Sequence, residues 1–394
     1  MGTNFIELEL ENDAQLMDAV RSAVPQLLDD TRAHIVSARF HPVPYRIKIS
    51  TTETLRRIRG TAESGGKLKD WSLFLKSVRS PPGPQPPDAH RSWDWWQREE
   101  ESYRKRILPR VGTGFGGAAF FGALESKTGI HLLLEDVPGV PASRWSIERY
   151  GRCSYHLGQF HARSIVDASH PQTGWLENDW TNRFLHRPDF LAAVELLGED
   201  ALWAAPLAQI AFPDSKQVRD QVRTLWSRRA DLLEGLRAAP RTINQNDLWP
   251  PNLFSVDTAD GLERTVVVDL SWVAAGALGQ DIASLVLDTV YEFHKPLSDL
   301  EQLEHVVLRE YVRGLRSEGW SGDDLAVRFA YQACSGLRFG IEAMQLLRNL
   351  TTREGQQELS ASFDRPLGDI ARDAGVVVRH ALRRGLCAID MLGA

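Results

Sequence analysis

Gln245-Asn246-Asp247-Leu248-Trp249-Pro250-Pro251-Asn252 is followed, at Val266-Val267-Val268-Asp269, by an apolar run that closes on a second aspartate. Asp247 and Asn252 stand five positions apart, just ahead of a strand read at Asn252–Val256, and Asp269 ends the next strand, Thr265–Asp269. An Asp-x-x-x-x-Asn pair alone is weak evidence. Beside Pro250-Pro251 the two residues could be plain turn formers. Their placement before one strand, with an aspartate ending the next, makes the pattern specific.

The residue types suit phosphoryl transfer, which needs an aligned hydroxyl, neutralised phosphates and a proton acceptor. A carboxylate at Asp247 can receive the hydroxyl proton as the bond to phosphorus forms. Asn252 offers a hard oxygen ligand to Mg2+, and Asp269 adds charge to oxygen.

The continuation, Asp269-Leu270-Ser271-Trp272-Val273-Ala274-Ala275-Gly276-Ala277-Leu278-Gly279-Gln280-Asp281-Ile282-Ala283, sharpens the reading. Together with the loop it resembles the aminoglycoside phosphotransferase/choline kinase superfamily, whose members phosphorylate small molecules on a protein-kinase-like fold. The family pattern runs H-G-D-x-x-x-x-N, a metal-binding Asp, a Gly-containing loop and an Asp-Leu-Ala helix start. Asp247, Asn252, Asp269 and Asp281 match it. The resemblance implies Asp247 as base, Asn252 and Asp269 as Mg2+ ligands, and Asp281 as structural support bonded to the catalytic-loop backbone. A simple helix N-cap at Asp281 is the local alternative.

Upstream, Trp71-Ser72-Leu73-Phe74-Leu75-Lys76 resembles the strand that carries the nucleotide-phosphate lysine. Glu99 falls where the family's helix supplies that lysine's partner; Glu100 and Glu101 adjoin it, so the register stays open against a solvated acidic face. Leu132-Leu133-Leu134-Glu135-Asp136 resembles the hinge, which implies that Glu135 and Val137 hold adenine. Leu157-Gly158-Gln159-Phe160-His161-Ala162 resembles the helix after it, with His161 read as a packed or capping residue. The resemblance runs with gaps from about residue 30 to about 350.

Three departures stand out. Gln245 replaces the usual orienting His, and Asn246 the usual Gly, so Gln245 is read as structural support. The expected phosphate-covering stretch, Pro42–Glu53, holds no glycine, and Ser50, Thr51 and Thr52 are weak substitutes for one. Asp269 is followed by Leu-Ser instead of the common Trp or Phe.

Around these motifs the sequence predicts an amphipathic helix over 14–30 and strands at His34–Phe40, Thr54–Ala62, Trp71–Val78 and Ile130–Leu134. Glu63–Asp70 is read as a turn, Pro81–Pro87 as a loop and Trp93–Ile107 as a helix. Beyond Arg144 the period is helical at Trp145–Ser164, Asp189–Leu197, Lys216–Leu236, Ser298–Glu318, Gly322–Asn349 and Leu367–Cys387. A further strand is read around Thr242. The expected fold is α+β and two-lobed, protein-kinase-like. Residues 1–134 form an antiparallel-sheet lobe, 135–141 a hinge, and 142–394 a helical lobe with the acceptor site.

Composition bounds the function. The 394 residues are 43% hydrophobic and 25% charged, as in ordinary globular chains. A net charge of -6 and a pI near 6.0 argue against nucleic acid as a partner. Cys153, Cys334 and Cys387 form no pattern that would indicate zinc or disulfides. Met1–Asp13 is acidic where a signal peptide would be basic, and no apolar run could span a membrane, so a cytoplasmic protein is expected. Trp175, Trp180 and Trp203 could wall an acceptor pocket or simply pack the core. Glu177, Asp179 and Asp189 could favour a cationic acceptor.

The expected activity is transfer from ATP, or GTP, to a hydroxyl of a small molecule such as an aminoglycoside, amino sugar or choline-like alcohol. The glycine-free stretch keeps a catalytically silent nucleotide-binding module as the rival. A protein kinase fits less well, because no Ala-Pro-Glu follows Asp269 at the required distance. Oligomeric state is left open by the sequence.

Overall fold

The computed structural model describes residues 14–44, 51–86, 88–108, 114–165, 176–257 and 261–393. Five strands form the antiparallel sheet of the first lobe: β1 (His34–Pro42), β2 (Thr52–Ser64) and β3 (Lys67–Arg79), joined later in the chain by strands at Phe120–Glu125 and Gly129–Glu135. The β2–β3 hairpin closes on Gly65-Gly66 alone, at φ 59° and 74°. Left-handed residues at both central positions match the twist of the strands. Glu63–Asp70 was expected to be all turn, yet its flanks extend the ladder.

Alternation puts Ile58, Ala62, Trp71, Leu73 and Leu75 on one face, where the Ala14–Leu27 helix covers them with Leu16, Val20, Ala23 and Val24. This small core is separate from the main one. The main core begins on the sheet at Val78, Leu132 and Leu134 and runs through the second lobe.

The helix expected over Trp93–Ile107 is confined to Arg98–Arg104. Its absence before Arg98 has a local cause. The fully buried Arg98 guanidinium gathers the carbonyls of His90, Ser92 and Trp93, so this chain wraps around a cation instead of coiling.

The remaining strands are short: β4 (Phe115–Gly117), β5 (Phe120–Glu125), β6 (Gly129–Glu135), β7 (Val140–Pro141), β8 (Arg241–Asn244), β9 (Leu253–Asp257), β10 (Glu263–Val267) and β11 (Ala274–Ala277). One sheet has the order β4-β10-β9-β7, and β11 pairs with β8. Because β4 runs parallel to β10, part of the 1–134 segment is built into the second lobe's sheet.

In the helical lobe, Ile147–Arg163 crosses Leu300–Ser317 at Gly158 and Gly314. A Cβ there would sit 2.2 Å from the Tyr311 carbonyl oxygen and 2.1 Å from that of Tyr155, respectively. Close approach lets His161 Nδ1 reach the Tyr311 hydroxyl at 2.7 Å. Two expected helices are broken. Lys216–Leu236 divides at Arg228, and Gly322–Asn349 becomes Asp324–Cys334, a π turn at Ser335–Gly340, and Ala343–Thr351. A further helix, Arg353–Ser362, precedes the terminal one at Leu367–Met391. Among the described residues no helix is long and apolar enough to cross a membrane.

Candidate functional site

The stretch from Asn244 to Asn252 is held by amide bonds. Asn246 has φ +64°, a left-handed conformation that Asn tolerates better than most residues. Each of its polar groups is engaged. Its amide donates to Asp281 Oδ1 at 2.7 Å and its Nδ2 to the Trp272 carbonyl at 2.9 Å. Its Oδ1 accepts from Gln280 Nε2 at 2.7 Å, and its carbonyl from Arg338 Nη1 at 2.5 Å. Side-chain anchors thus hold the turn that glycine would otherwise provide.

Gln245 bridges the two aspartates. Its Nε2 donates to the Asp269 carbonyl at 2.6 Å, its Oε1 accepts from the Asp247 amide at 2.6 Å, and its own amide donates to Asp281 Oδ2 at 2.8 Å. Asp281 is buried at the start of the Ile282–Tyr291 helix, yet its side chain does not cap that helix. It serves the loop instead, with His161 Nε2 3.5 Å from Oδ2. The helix crossing at Gly158 and Gly314 is thereby connected to the loop through Tyr311, His161 and Asp281.

Asn252 Nδ2 donates to both the Asp247 carbonyl, at 3.1 Å, and Asp247 Oδ2, at 2.9 Å. Val268 donates its amide to the Asn252 carbonyl at 2.9 Å, tying the loop's end to the run that leads to Asp269. Asp269 itself is left-handed, at φ +60°, and its Oδ1 accepts from the Ser271 amide at 3.2 Å.

Lys76, on β3, lies 2.6 Å from Glu99 and 2.9 Å from Asp269. Of the three consecutive glutamates, Glu99 is the one that faces the lysine. Burial works against the Lys76 charge, but Asp269 and Glu99 outweigh it and raise the ammonium pKa. Burial also favours protonated Asp269; the Lys76 charge and the Ser271 and Lys76 hydrogen bonds outweigh that and lower its pKa. Glu99 moves up to about 7, through burial and the neighbouring Asp269 charge, despite Lys76. One lysine faces two carboxylates, and the proton excess falls on Glu99. Arg98, beside it, reaches the Ser271 carbonyl at 3.5 Å, and burial lowers its pKa to about 10.

A cavity of about 210 Å³ lies between the lobes. Leu55, Phe74, Leu134, Phe254 and Val268 form apolar walls; Lys76, Glu99, Asn252 and Asp269 are polar groups among its lining, with Glu135, Asp136 and Val137 from the hinge. Apolar walls with a few convergent polar groups are the usual make-up of a small-molecule site. Glu135 exchanges backbone and side-chain bonds with Ala119, both at 2.9 Å, and the Val137 carbonyl accepts from the Gly139 amide at 2.9 Å. Asp136 is gripped by Arg57 Nε at 2.9 Å and the Ser72 hydroxyl at 2.6 Å, which fixes the hinge to β2 and β3. In the glycine-free Pro42–Glu53 stretch, residues 45–50, including Ser50, lie outside the described residues; Thr52 lines the cavity.

Among the described residues, no cluster of three or more His, Cys, Asp or Glu could hold a metal ion. Asn252 and Asp269 are hard-oxygen donors on one cavity wall. They fit an ion that takes its remaining ligands from phosphates and water, which is how Mg2+ is commonly bound.

The three insert carboxylates that could favour a cation each have an arginine beside them. Glu177 is buried and pairs with Arg183 at 2.8 Å, Asp179 pairs with Arg237 at 3.0 Å, and Asp189 lies 3.5 Å from Arg187. Trp203 packs on Phe212 in the core. Trp180 joins Trp93, Phe184 and Trp272 in an aromatic cluster, but the faces of Trp180, Phe184 and Trp272 meet Arg338, and Arg187 stacks on Phe184 at 3.9 Å. Trp180 and Trp203 thus pack in the core, with the chain's own arginines against the aromatic faces; Trp175 lies outside the described residues. Neither Arg98 nor Arg338 was singled out in the sequence, where each reads as one arginine among many.

No family model matches the chain, and no curated protein does. Among solved structures, an ethanolamine kinase from Plasmodium vivax aligns at TM-score 0.45 and 12% identity, over 88% of this chain and 82% of its own. A spectinomycin phosphotransferase in complex with ADP and spectinomycin aligns at 0.44 and 13%, over 89% and 97%. An amicoumacin kinase in complex with AMP-PNP, Ca2+ and Ami aligns at 0.43 and 13%, over 87% and 90%.

Proposed function

We propose that this chain is a phosphotransferase of the aminoglycoside phosphotransferase/choline kinase type, moving the terminal phosphoryl group of ATP, or GTP, to a hydroxyl of a small molecule. The observation that carries the reading is the convergence, at one inter-lobe cavity, of the Lys76–Glu99–Asp269 cluster and Asn252, with Asp247 bonded to Asn252.

The base would sit against the cavity's apolar walls, with the hinge at Glu135 and Val137 supplying backbone bonds. Lys76 would neutralise phosphate oxygens, held in place by Glu99. Asn252 and Asp269 would hold Mg2+, which supplies charge neutralisation on the phosphates when bound. The acceptor oxygen forms a bond to the γ-phosphorus as the bond to the bridging oxygen breaks. Asp247 receives the hydroxyl proton, and the nucleoside diphosphate leaves. Gln245 and Asp281 keep the Asp247 backbone in place.

The silent-module rival rests on the missing glycine at Pro42–Glu53. It is tested by ADP release from Mg·ATP across a panel of amino sugars, aminoglycosides, choline-like alcohols and amino-acid alcohols. Acceptor-dependent ADP release is expected. Nucleotide binding with no ADP release on any acceptor, and none with water, would favour the rival.

A further inference from the structure

The π turn at Ser335–Gly340 interrupts what the sequence presents as one helix. Such turns cost regular hydrogen bonding and recur at functional sites. Here a tertiary contact accompanies the break: Gly336 rests on the terminal helix, where a Cβ would lie 2.4 Å from Gly385 Cα. Arg338 lies within this turn, with its side chain 11% exposed. Its guanidinium has neighbours on every side. Nη1 donates to the Asn246 carbonyl at 2.5 Å, while Nη2 lies 3.5 Å from Asp288 and 4.0 Å from Asp247 Oδ1. The group also lies 5.5 Å from the centroid of Trp180, 5.4 Å from those of Phe184 and Trp272, and 4.9 Å from that of Phe339.

We propose that Arg338 is the positioning residue for Asp247. It bonds the Asn246 carbonyl, as Asp281 bonds the Asn246 amide, and places one cation between the Asp247 and Asp288 carboxylates. Asp247 is thereby held from two directions, by Asn252 on the cavity side and by Arg338 on the far side. The inference rests on the phosphotransferase reading. It adds a residue from outside the motif, because the aromatic wall aims the guanidinium at the loop. Only a planar, multiply donating cation can bond the carbonyl, face two carboxylates and stack on the wall together; the point charge of lysine cannot. Arg338 is absent from the lining of the nucleotide cavity, so its effect should fall on the chemical step and leave nucleotide binding intact.

The test uses Mg·ATP with water as the acceptor, which needs no identified substrate. ADP release and ATP affinity are measured for the parent chain, Arg338→Met, Arg338→Lys and Asp247→Asn. Arg338→Met should lower the turnover of hydrolysis by on the order of tenfold or more with ATP affinity changed less than about twofold. Millimolar guanidinium should restore part of the rate, and Arg338→Lys should fall between. If Arg338→Met does not fold, Arg338→Lys carries the same readout with a several-fold loss. Turnover equal to the parent, or a loss of rate matched by an equal loss of ATP binding, would overturn the positioning role. A parent that releases ADP no faster than Asp247→Asn, with water and with every acceptor of the panel, would overturn the phosphotransferase reading itself, so the two failures are distinguishable.

Discussion

The two sides of the cleft are built on different principles. On the catalytic-loop side, neutral amides are matched one to one: Gln245 and Asn246 use both ends of their side chains, and their backbone amides share the Asp281 carboxylate. On the sheet side, Lys76 is set between Glu99 and Asp269, two carboxylates against one ammonium in a buried space. The first arrangement is complete before any ligand arrives. The second carries a surplus of negative charge that a cation bound at Asp269 would relieve. On the proposed function, the proton-accepting side is therefore preorganised while the nucleotide side responds to its ligand.

The largest expected effect separates chemistry from architecture. Asp247→Asn keeps the side chain's shape but removes the proton acceptor, so transfer should fall by about 10²–10⁴-fold. Mg·ATP affinity should stay within about twofold, since Asp247 acts on the acceptor. Steady-state rates and equilibrium dialysis on the two proteins check this; a variant that kept most of its turnover would remove Asp247 from the chemistry.

Much of this contrast is visible in the sequence, and its gaps have physical causes. Asp247, Asn252, Asp269 and Asp281 form a compact motif at fixed spacings beside apolar strands, so local pattern suffices. Lys76 is legible because it lies near the end of an apolar strand in a chain where arginine is the commoner cation. Glu99 could not be told from Glu100 and Glu101, because only the fold decides which of three neighbours turns inward. Arg98 and Arg338 were invisible for the same reason. One collects carbonyls from the preceding loop; the other depends on a π turn whose Gly336–Gly385 contact spans distant helices. Phe115–Gly117 and Ala274–Ala277 escaped as strands because Gly and Ala give no alternation. They exist through pairing with β10 and β8.

A second break falls on the preorganised side. Asp281→Ala removes the acceptor of two buried loop amides, which should destabilise the chain by about 2–6 kcal/mol, at roughly 1–3 kcal/mol for each unsatisfied donor. If the loop is complete without ligand, urea titrations with and without Mg·ATP should give the same loss relative to the parent. A loss that shrank strongly when nucleotide was added would mean that the loop is finished only by its ligand, and the contrast between the two sides would fail.

The smallest effect lies on the responsive side and is read from pH. Glu99 holds its proton to about 7 in the folded chain, against an ordinary value of 4.5, because it is buried beside Asp269. Between those values the folded state binds more protons than the unfolded state, so stability must decline as pH rises. This contribution is fully present below about 4.5 and is lost as pH passes 7, with a slope of at most about 1.4 kcal/mol per pH unit. Asp269 has the opposite sign: its folded pKa is lowered from 3.8, so its contribution persists above that value and is lost only in more acid solution. Glu342, raised to about 7 by burial and by Asp288, adds to the decline in the same window. Glu99→Gln should therefore flatten the fall in Tm between pH 5 and 8, leaving the share due to Glu342 less the opposing share of His156, whose pKa burial lowers to about 4. Saturating Mg·ATP should flatten the parent's curve in the same way, because cation bound at Asp269 offsets the negative charge that holds the proton on Glu99. If Glu99→Gln kept the parent's slope, the surplus charge would not reside at Lys76, and the sheet side would be as settled as the loop.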